Sequence, residues 1–282
     1  YLIGYIAFTI IHEGGVSEIE LTIIGLFFLN GLLTLFAQPL IYLYEKIFGL
    51  VSDVSLLELS DTNSPLLKEL SDRAPGTFHH SLQVANLAET AANEIGANSL
   101  LVRVGALYHD IGKMNAPTYF SENQASRISP HEELSPAESA KIIIDHVTNG
   151  IVIAKKNKIP ERIIDFIRTH HGTSKVYYFY KKAEEISGEI PDNKLYSYPG
   201  PRPFSKETAI LMMSDAVEAA SKSLKEPTID KIQNFVESIV NKQVEEKQFN
   251  DCNITLAEIE TVKKVLSKKL INVYHLRVAY PE

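Results

Sequence analysis

His80, the adjacent pair His109 and Asp110, His146, the adjacent pair His170 and His171, and Asp215 follow one another along a chain of 282 residues that holds nine histidines in all. Imidazole and carboxylate bind borderline divalent metals without help from thiolates, so such residues on successive helices can meet in one core around metal ions. Neighbouring residues on a helix point about 100° apart, so His109 and Asp110 cannot share one ordinary core position. A carboxylate has two oxygens and can bridge two ions, whereas a histidine serves one. Asp215 lies in the run AILMMSDAVEAA, where a buried carboxylate is costly unless a cation meets it.

Hydrophobic residues make up 45% of the chain, enough for a substantial core in one large domain or two small ones. A formal charge of −7 argues against a DNA or RNA polymer as partner, since non-specific binding takes a basic stripe that displaces counterions. An anionic ligand must then be held locally, by metals or by a few cations. The one cysteine, Cys252, excludes an intrachain disulfide framework and a zinc-thiolate site, and it suits a reducing compartment.

The elements that must carry the cluster read as helices. Ser135-Pro136-Ala137-Glu138 and Thr255-Leu256-Ala257-Glu258 are capping boxes, Pro160 and Ser64-Pro65 open further helices, and Gly96 closes the one bearing Leu82, Ala85, Leu87, Ala88 and Ala91. No alternating strand pattern of convincing length and no internal repeat occurs. The longest irregular stretch, Ser187 to Phe204, has four prolines and two glycines and falls between His170-His171 and Asp215, where it can serve as a lid.

The N-terminal part differs in kind. Leu21 to Tyr44 is a run of 24 residues without a charge, long enough to span a bilayer, and its interruptions at Asn30, Gln38 and Pro39 suit a helix packed in a bundle. Residues 1–11 are also apolar and begin as the end of a preceding membrane helix would, without the marks of a signal peptide. The loop between the two runs has no lysine or arginine, and Lys46 is the first, so the loop is expected outside and the rest in the cytoplasm. The expected organisation is the end of a membrane domain over 1–48 with its last transmembrane helix at 21–44, a juxtamembrane linker over 49–70, and a cytoplasmic all-α domain over 71–282.

His80-Ser81, the run His109-Asp110-Ile111-Gly112-Lys113 and the distant Ser214-Asp215 resemble the HD phosphohydrolase superfamily, named for its His-Asp pair. Longer stretches, FHHSLQVANLAE, YHDIGKMNAPTYFSENQ, SPHEELSPAESAKIIIDHV, THHGT and YPGPRPFSKETAILMMSDAVEAASKSL, are similar to the cytoplasmic domain of the seven-transmembrane HD proteins, the PgpH-type cyclic di-AMP phosphodiesterases. The resemblance covers about residues 70 to 282, and the apolar run fits that family's last transmembrane helix. It implies an HD-domain helical bundle, a bacterial inner (plasma) membrane protein and two ions, manganese or iron. His80, His109, Asp110 and Asp215 would hold one ion and Asp110, His146, His170 and His171 the other, with Asp110 bridging.

The implied reaction is hydrolysis of cyclic di-AMP to linear pApA by a hydroxide shared between the two ions, which would also neutralise phosphate oxygens. Lys113 is placed to offset charge on the phosphate, Arg202 to bind a second phosphate in bidentate fashion, and Tyr198 to stack on a base. His131 either orients substrate or braces its loop. His79 reads as a neighbour of the site at best, and His12 and His275 as surface residues. Two alternatives stay open: an HD hydrolase acting on cyclic di-GMP, ppGpp or a nucleoside triphosphate, and a non-catalytic membrane nucleotide sensor. The cyclic di-GMP branch carries Gly-Tyr-Pro after its paired histidine, whereas Gly172-Thr173 stands here. A homodimer is compatible with all of these readings.

Overall fold

A computed structural model describes residues 1–12, 14–15, 19–124, 129–224 and 228–275. The chain forms two compact units, Tyr1–Ser52 and Asp53–Glu282, and no strand occurs among the described residues, only an isolated antiparallel bridge between Lys175 and Ser197.

The first unit holds α1 (Leu2–His12), α2 (Leu21–Leu35) and α3 (Ala37–Phe48). The single helix expected over 21–44 is instead broken at Phe36. Pro39 has no N–H for the Leu35 carbonyl and its ring crowds that group, so the ladder stops and Phe36 N–H bonds Leu33 O at 3.1 Å. Among the described residues no single helix is long and apolar enough to cross a membrane. The pair Leu21–Leu35 and Pro39–Phe48, bent by 41°, passes that test together. Residues 13 and 16–18 of the loop expected outside lie beyond the described residues.

The second unit begins earlier than the sequence suggested. The stretch read as a linker forms α4 (Asp53–Ser60) and α5 (Pro65–Arg73), and Leu56, Leu66, Leu67 and Leu70 are buried. Tyr108 pins it further, its hydroxyl 3.1 Å from Leu59 O and 3.3 Å from Ser64 Oγ. Each buried leucine contributes about 1.5–3 kcal/mol, so these helices are part of the core and not a tether.

The core is a bundle of α6 (Pro75–Glu94), α7 (Ser99–Tyr108), α8 (Pro136–Lys156), α9 (Glu161–Thr169), α11 (Lys206–Ser221) and α13 (Leu256–His275), with α10 (Tyr177–Ser187) and α12 (Ile229–Glu245) outside it. Small residues set its spacing: Ala85, Ala88, Ala91 and Ala92 line the buried face of α6. On α7 the Phe166 ring fills the space where a Cβ on Gly105 would stand, 2.3 Å away. Both expected capping boxes are present. Ser135 N–H donates to Glu138 at 2.9 Å and Thr255 N–H to Glu258 at 2.8 Å. The proline-rich stretch Ser187–Phe204 is anchored, with Tyr196 buried against Ala140, Phe179 and Tyr180.

Candidate metal centre

Each candidate ligand comes from a different part of the bundle. His80 lies in the second turn of α6, His146 midway along α8 and Asp215 near the middle of α11, all buried. His109 and Asp110 were expected within a helix, yet they sit at a helix end, as do His170 and His171, for which a helix end was expected. His109 caps α7 and Asp110 opens the 3-10 turn Ile111–Asn115, while His170 caps α9 and His171 follows in a turn. A helix end lets consecutive side chains turn toward one point, which the 100° step inside a helix forbids.

Asp110 is the hub. Its Oδ2 lies 3.2 Å from His109 Nε2 and 3.5 Å from His80 Nε2, while its Oδ1 lies 3.3 Å from His146 Nε2 and 3.6 Å from His170 Nε2. Asp215 Oδ1 is 2.9 Å from His80 Nε2 and 3.6 Å from His109 Nε2, and its Oδ2 is 4.0 Å from His171 Nδ1. Donor atoms of His80, His109 and Asp110, of His146, His170 and His171, and of His109, His170 and Asp215 lie within 4.8 Å of one another. The third set runs across the other two, so the residues form one continuous cluster.

The tautomers are prepared for cations. Nδ1–H of His109 donates to Ala106 O at 2.7 Å and that of His170 to Ile167 O at 2.8 Å, while His146 uses Ile143 O in the same way. Each Nε2 then offers a lone pair to the cluster. Among the described residues the buried His109 Nε2 and Asp110 Oδ1 have no hydrogen-bond partner, and the His146 and His170 Nε2 atoms face each other at 3.1 Å. Lone pairs placed tip to tip repel unless a positive charge lies near them. The donor set of imidazole and carboxylate fits divalent metal ions.

The sequence reading missed Glu218. Its carboxylate accepts from His80 Nδ1–H and also meets Lys222 Nζ at 3.1 Å. His80 is thus oriented by a carboxylate, where His109, His146 and His170 use backbone carbonyls. The signal was present as Asp215 and Glu218 three residues apart in an apolar helix, which stacks them on one face. Replacing Glu218 with alanine is expected to weaken metal affinity by about 10- to 100-fold while glutamine, which can still accept from Nδ1–H, recovers part of it. Titration of the metal-free chain with Mn²⁺ measures this, and unchanged affinity in both variants would contradict it.

Charge is uneven across the cluster. Burial lowers the His109 imidazole, but Asp110 and Asp215 outweigh it and raise it to about 10; His80 is also raised, burial again being overcome by Asp215 and Glu218. Burial would raise Asp110 and Asp215, yet His109 with Lys113, and His109 with His80, hold them well below the carboxylate range. Burial also lowers His170 and, by more, His171, where His170 adds to it. In the metal-free chain the aspartates stabilise the fold above their unfolded value near 3.8, and that is lost as pH falls through their lower folded values. His109 stabilises fully below 6.5, and its share is lost as pH rises through about 10. The metal-free chain should therefore lose melting temperature between about pH 6.5 and 10, and excess Mn²⁺ should remove that decline, because binding displaces the same protons. A melting temperature flat across this window without metal would contradict the assignment.

The residues expected to touch substrate divide. Lys113 lines the cleft beside the cluster, its ammonium 2.7 Å from Asp110 Oδ2 and 2.8 Å from Glu122 Oε1. Tyr198 does reach the cluster, but its ring stacks on His171 at 4.2 Å and is 8% exposed, so the face expected to meet a base is taken by a histidine. Arg202 is turned away: it donates to Lys247 O at 2.9 Å and pairs with Asp251 at 3.2 Å. His131 braces its loop, with Nε2 2.9 Å from Tyr119 O and its ring 4.8 Å from that of Phe179. Neither Arg202 nor His131 lines the cleft, and His79 is exposed. The side chain of His275 lies outside the described residues.

Comparison with known proteins agrees with this geometry. A family model described as HD domain matches residues 77–220. The cyclic-di-AMP phosphodiesterase PgpH of Listeria monocytogenes is 48% identical over 240 residues, 85% of this chain and 33% of that protein. Its counterpart of the same name in Bacillus subtilis is 40% identical over 286 residues, 100% of this chain and 40% of that protein. The chain thus spans between a third and two fifths of these relatives. The crystal structure of the L. monocytogenes PgpH HD domain in complex with cyclic-di-AMP superposes with a TM-score of 0.73 at 47% identity, covering 76% of this chain and 100% of that one. With every residue of the cluster from His80 to Asp215 inside the matched segment, the chain belongs to the HD-domain family, in the branch of the PgpH HD domains.

Proposed function

We propose that the chain hydrolyses one phosphodiester of cyclic di-AMP to linear pApA at a centre of two divalent transition-metal ions, manganese or iron. The observation that carries this reading is the division of Asp110, one oxygen toward His80 and His109 and the other toward His146 and His170. When bound, two such ions supply Lewis acidity, activating water and neutralising phosphate charge. His80, His109 and Asp215 would hold one and His146, His170 and His171 the other, with Asp110 shared. The choice of adenine is supported by the likeness to the PgpH proteins and not by any contact in the cleft.

The chain's own residues complete the reaction. The Lys113 ammonium, fixed between Asp110 and Glu122, faces the cleft where a non-bridging phosphate oxygen would lie. One water is consumed. Its oxygen stays on phosphorus, the bond from phosphorus to the 3′ oxygen breaks, and a proton ends on that oxygen. Tyr198, stacked on His171, covers one face of that imidazole. The unit Tyr1–Ser52 would anchor the protein in a bacterial plasma membrane through the bent pair α2 and α3, with the HD unit in the cytoplasm; the uncharged run before Lys46 supports this.

Incubating the purified chain with cyclic di-AMP, cyclic di-GMP and ppGpp, each with Mn²⁺ and with chelator, tests the reading. Conversion of cyclic di-AMP to pApA that stops on metal removal is expected. Cleavage of guanine compounds alone would refute the substrate, and activity surviving complete metal removal would refute the centre.

A further inference from the structure

The cleft beside the cluster has a volume of about 380 Å³. That is near the lower end for small-molecule sites, which run from about 300 to 1,000 Å³, so a ligand of two nucleotides extends beyond it. One face of α11 lines it, with Met212, Ala216 and Ala219 beside Asp215 as an apolar surface. Its outer wall carries Lys175, Tyr177 and Lys242.

Those two lysines differ from the other cations near the centre. Lys113 is committed to Asp110 and Glu122, Lys222 to Glu218 and Arg202 to Asp251. Lys242, on α12, instead has its ammonium 4.7 Å from the centre of the Tyr177 ring. Lys175 lies 3.8 Å from the Tyr180 ring and donates to Asn193 Oδ1 at 2.7 Å. Both are held in place by neutral partners, which position an ammonium without neutralising it. Glu246, one turn beyond Lys242 on the same wall, forms no ion pair with it among the described residues. In a chain of net charge −7, two unneutralised cations lining one cleft with a half-exposed tyrosine suit an anion attached to a planar ring.

Resting on the reading above, we propose that Lys242 and Lys175 bind the second, non-reacting phosphate of the cyclic dinucleotide and that Tyr177 stacks on its outer base. This mouth then selects a substrate of two linked phosphates over a simple diester, which reaches only the inner cluster. It fills the role that the sequence alone gave to Arg202 and Tyr198.

The test compares cyclic di-AMP with bis(p-nitrophenyl) phosphate on the full chain loaded with Mn²⁺. Lys242→Ala and Tyr177→Ala alter exposed side chains, so folding is not at stake. Each is expected to raise KM for cyclic di-AMP by roughly 10- to 100-fold, the worth of a charge-assisted hydrogen bond or a stacked base, and to lower the kcat/KM preference for cyclic di-AMP over the small diester in proportion. Lys242→Arg should restore most of that preference. A preference equal to wild type in both alanine variants, or equal losses on the two substrates, would overturn the inference. A wild-type chain that cleaves the small diester and leaves cyclic di-AMP intact would overturn the underlying reading as well.

Discussion

Asp110→Asn is expected to lower hydrolysis by about 1,000-fold or more and to leave the chain without its full complement of metal, since stabilisation worth several kcal/mol would be lost with the carboxylate proposed to bridge the ions. Asparagine keeps the volume of the side chain, which is 1% exposed, so packing around α7 and α8 is preserved. What changes is charge. His80 and His109 lose the anion facing them on one side, and His146 and His170 lose it on the other. Lys113 keeps Glu122 as partner and remains folded against the cleft. Metal content after dialysis, read alongside kcat, separates this from unfolding. A variant that retains two ions per chain would refute the bridging role, whatever its activity.

Gly112→Ala should be the most damaging substitution of a residue that bears no functional group. A Cβ there would stand 1.8 Å from His146 O and 2.5 Å from Gly150 N, both backbone atoms of α8 that no rotamer can move. The 3-10 turn after Asp110 and the middle of α8 touch through this glycine, and the contact sets how far His146 stands from Asp110. The helix must shift to admit a methyl group, at a cost of about 3 kcal/mol. It takes His146 with it. Denaturant unfolding should show a lower midpoint with an unchanged slope, and Mn²⁺ binding should lose the ion proposed for His146, His170 and His171 before the other. A variant with wild-type midpoint and both ions would show that α8 is not held at this distance.

The clash also marks where sequence reasoning stops. Asp110-Ile111-Gly112-Lys113 was legible as a motif, but that its glycine exists for His146, 34 residues on, is a fact of packing. The same holds for α4 and α5. Ser64-Pro65 signals a helix start, yet only packing against α6 and α7 makes the leucines of α4 and α5 part of the core. In the N-terminal unit a count of uncharged residues gave the length of the apolar run but not its bend at Phe36, which follows from a missing N–H at Pro39.

Local chemistry determined much. Side-chain type named every member of the histidine and aspartate cluster, and capping boxes and turn residues placed the helices, because these depend on neighbours three or four positions away. Tertiary structure decided the rest. It divided the oxygens of Asp110 between two groups of imidazoles, set Glu218 behind His80, turned Arg202 toward Asp251 and brought Lys242 over Tyr177. Most of these pairings join residues tens of positions apart. Periodicity along one helix fixes which face a side chain occupies, but the partner on that face depends on how whole helices pack.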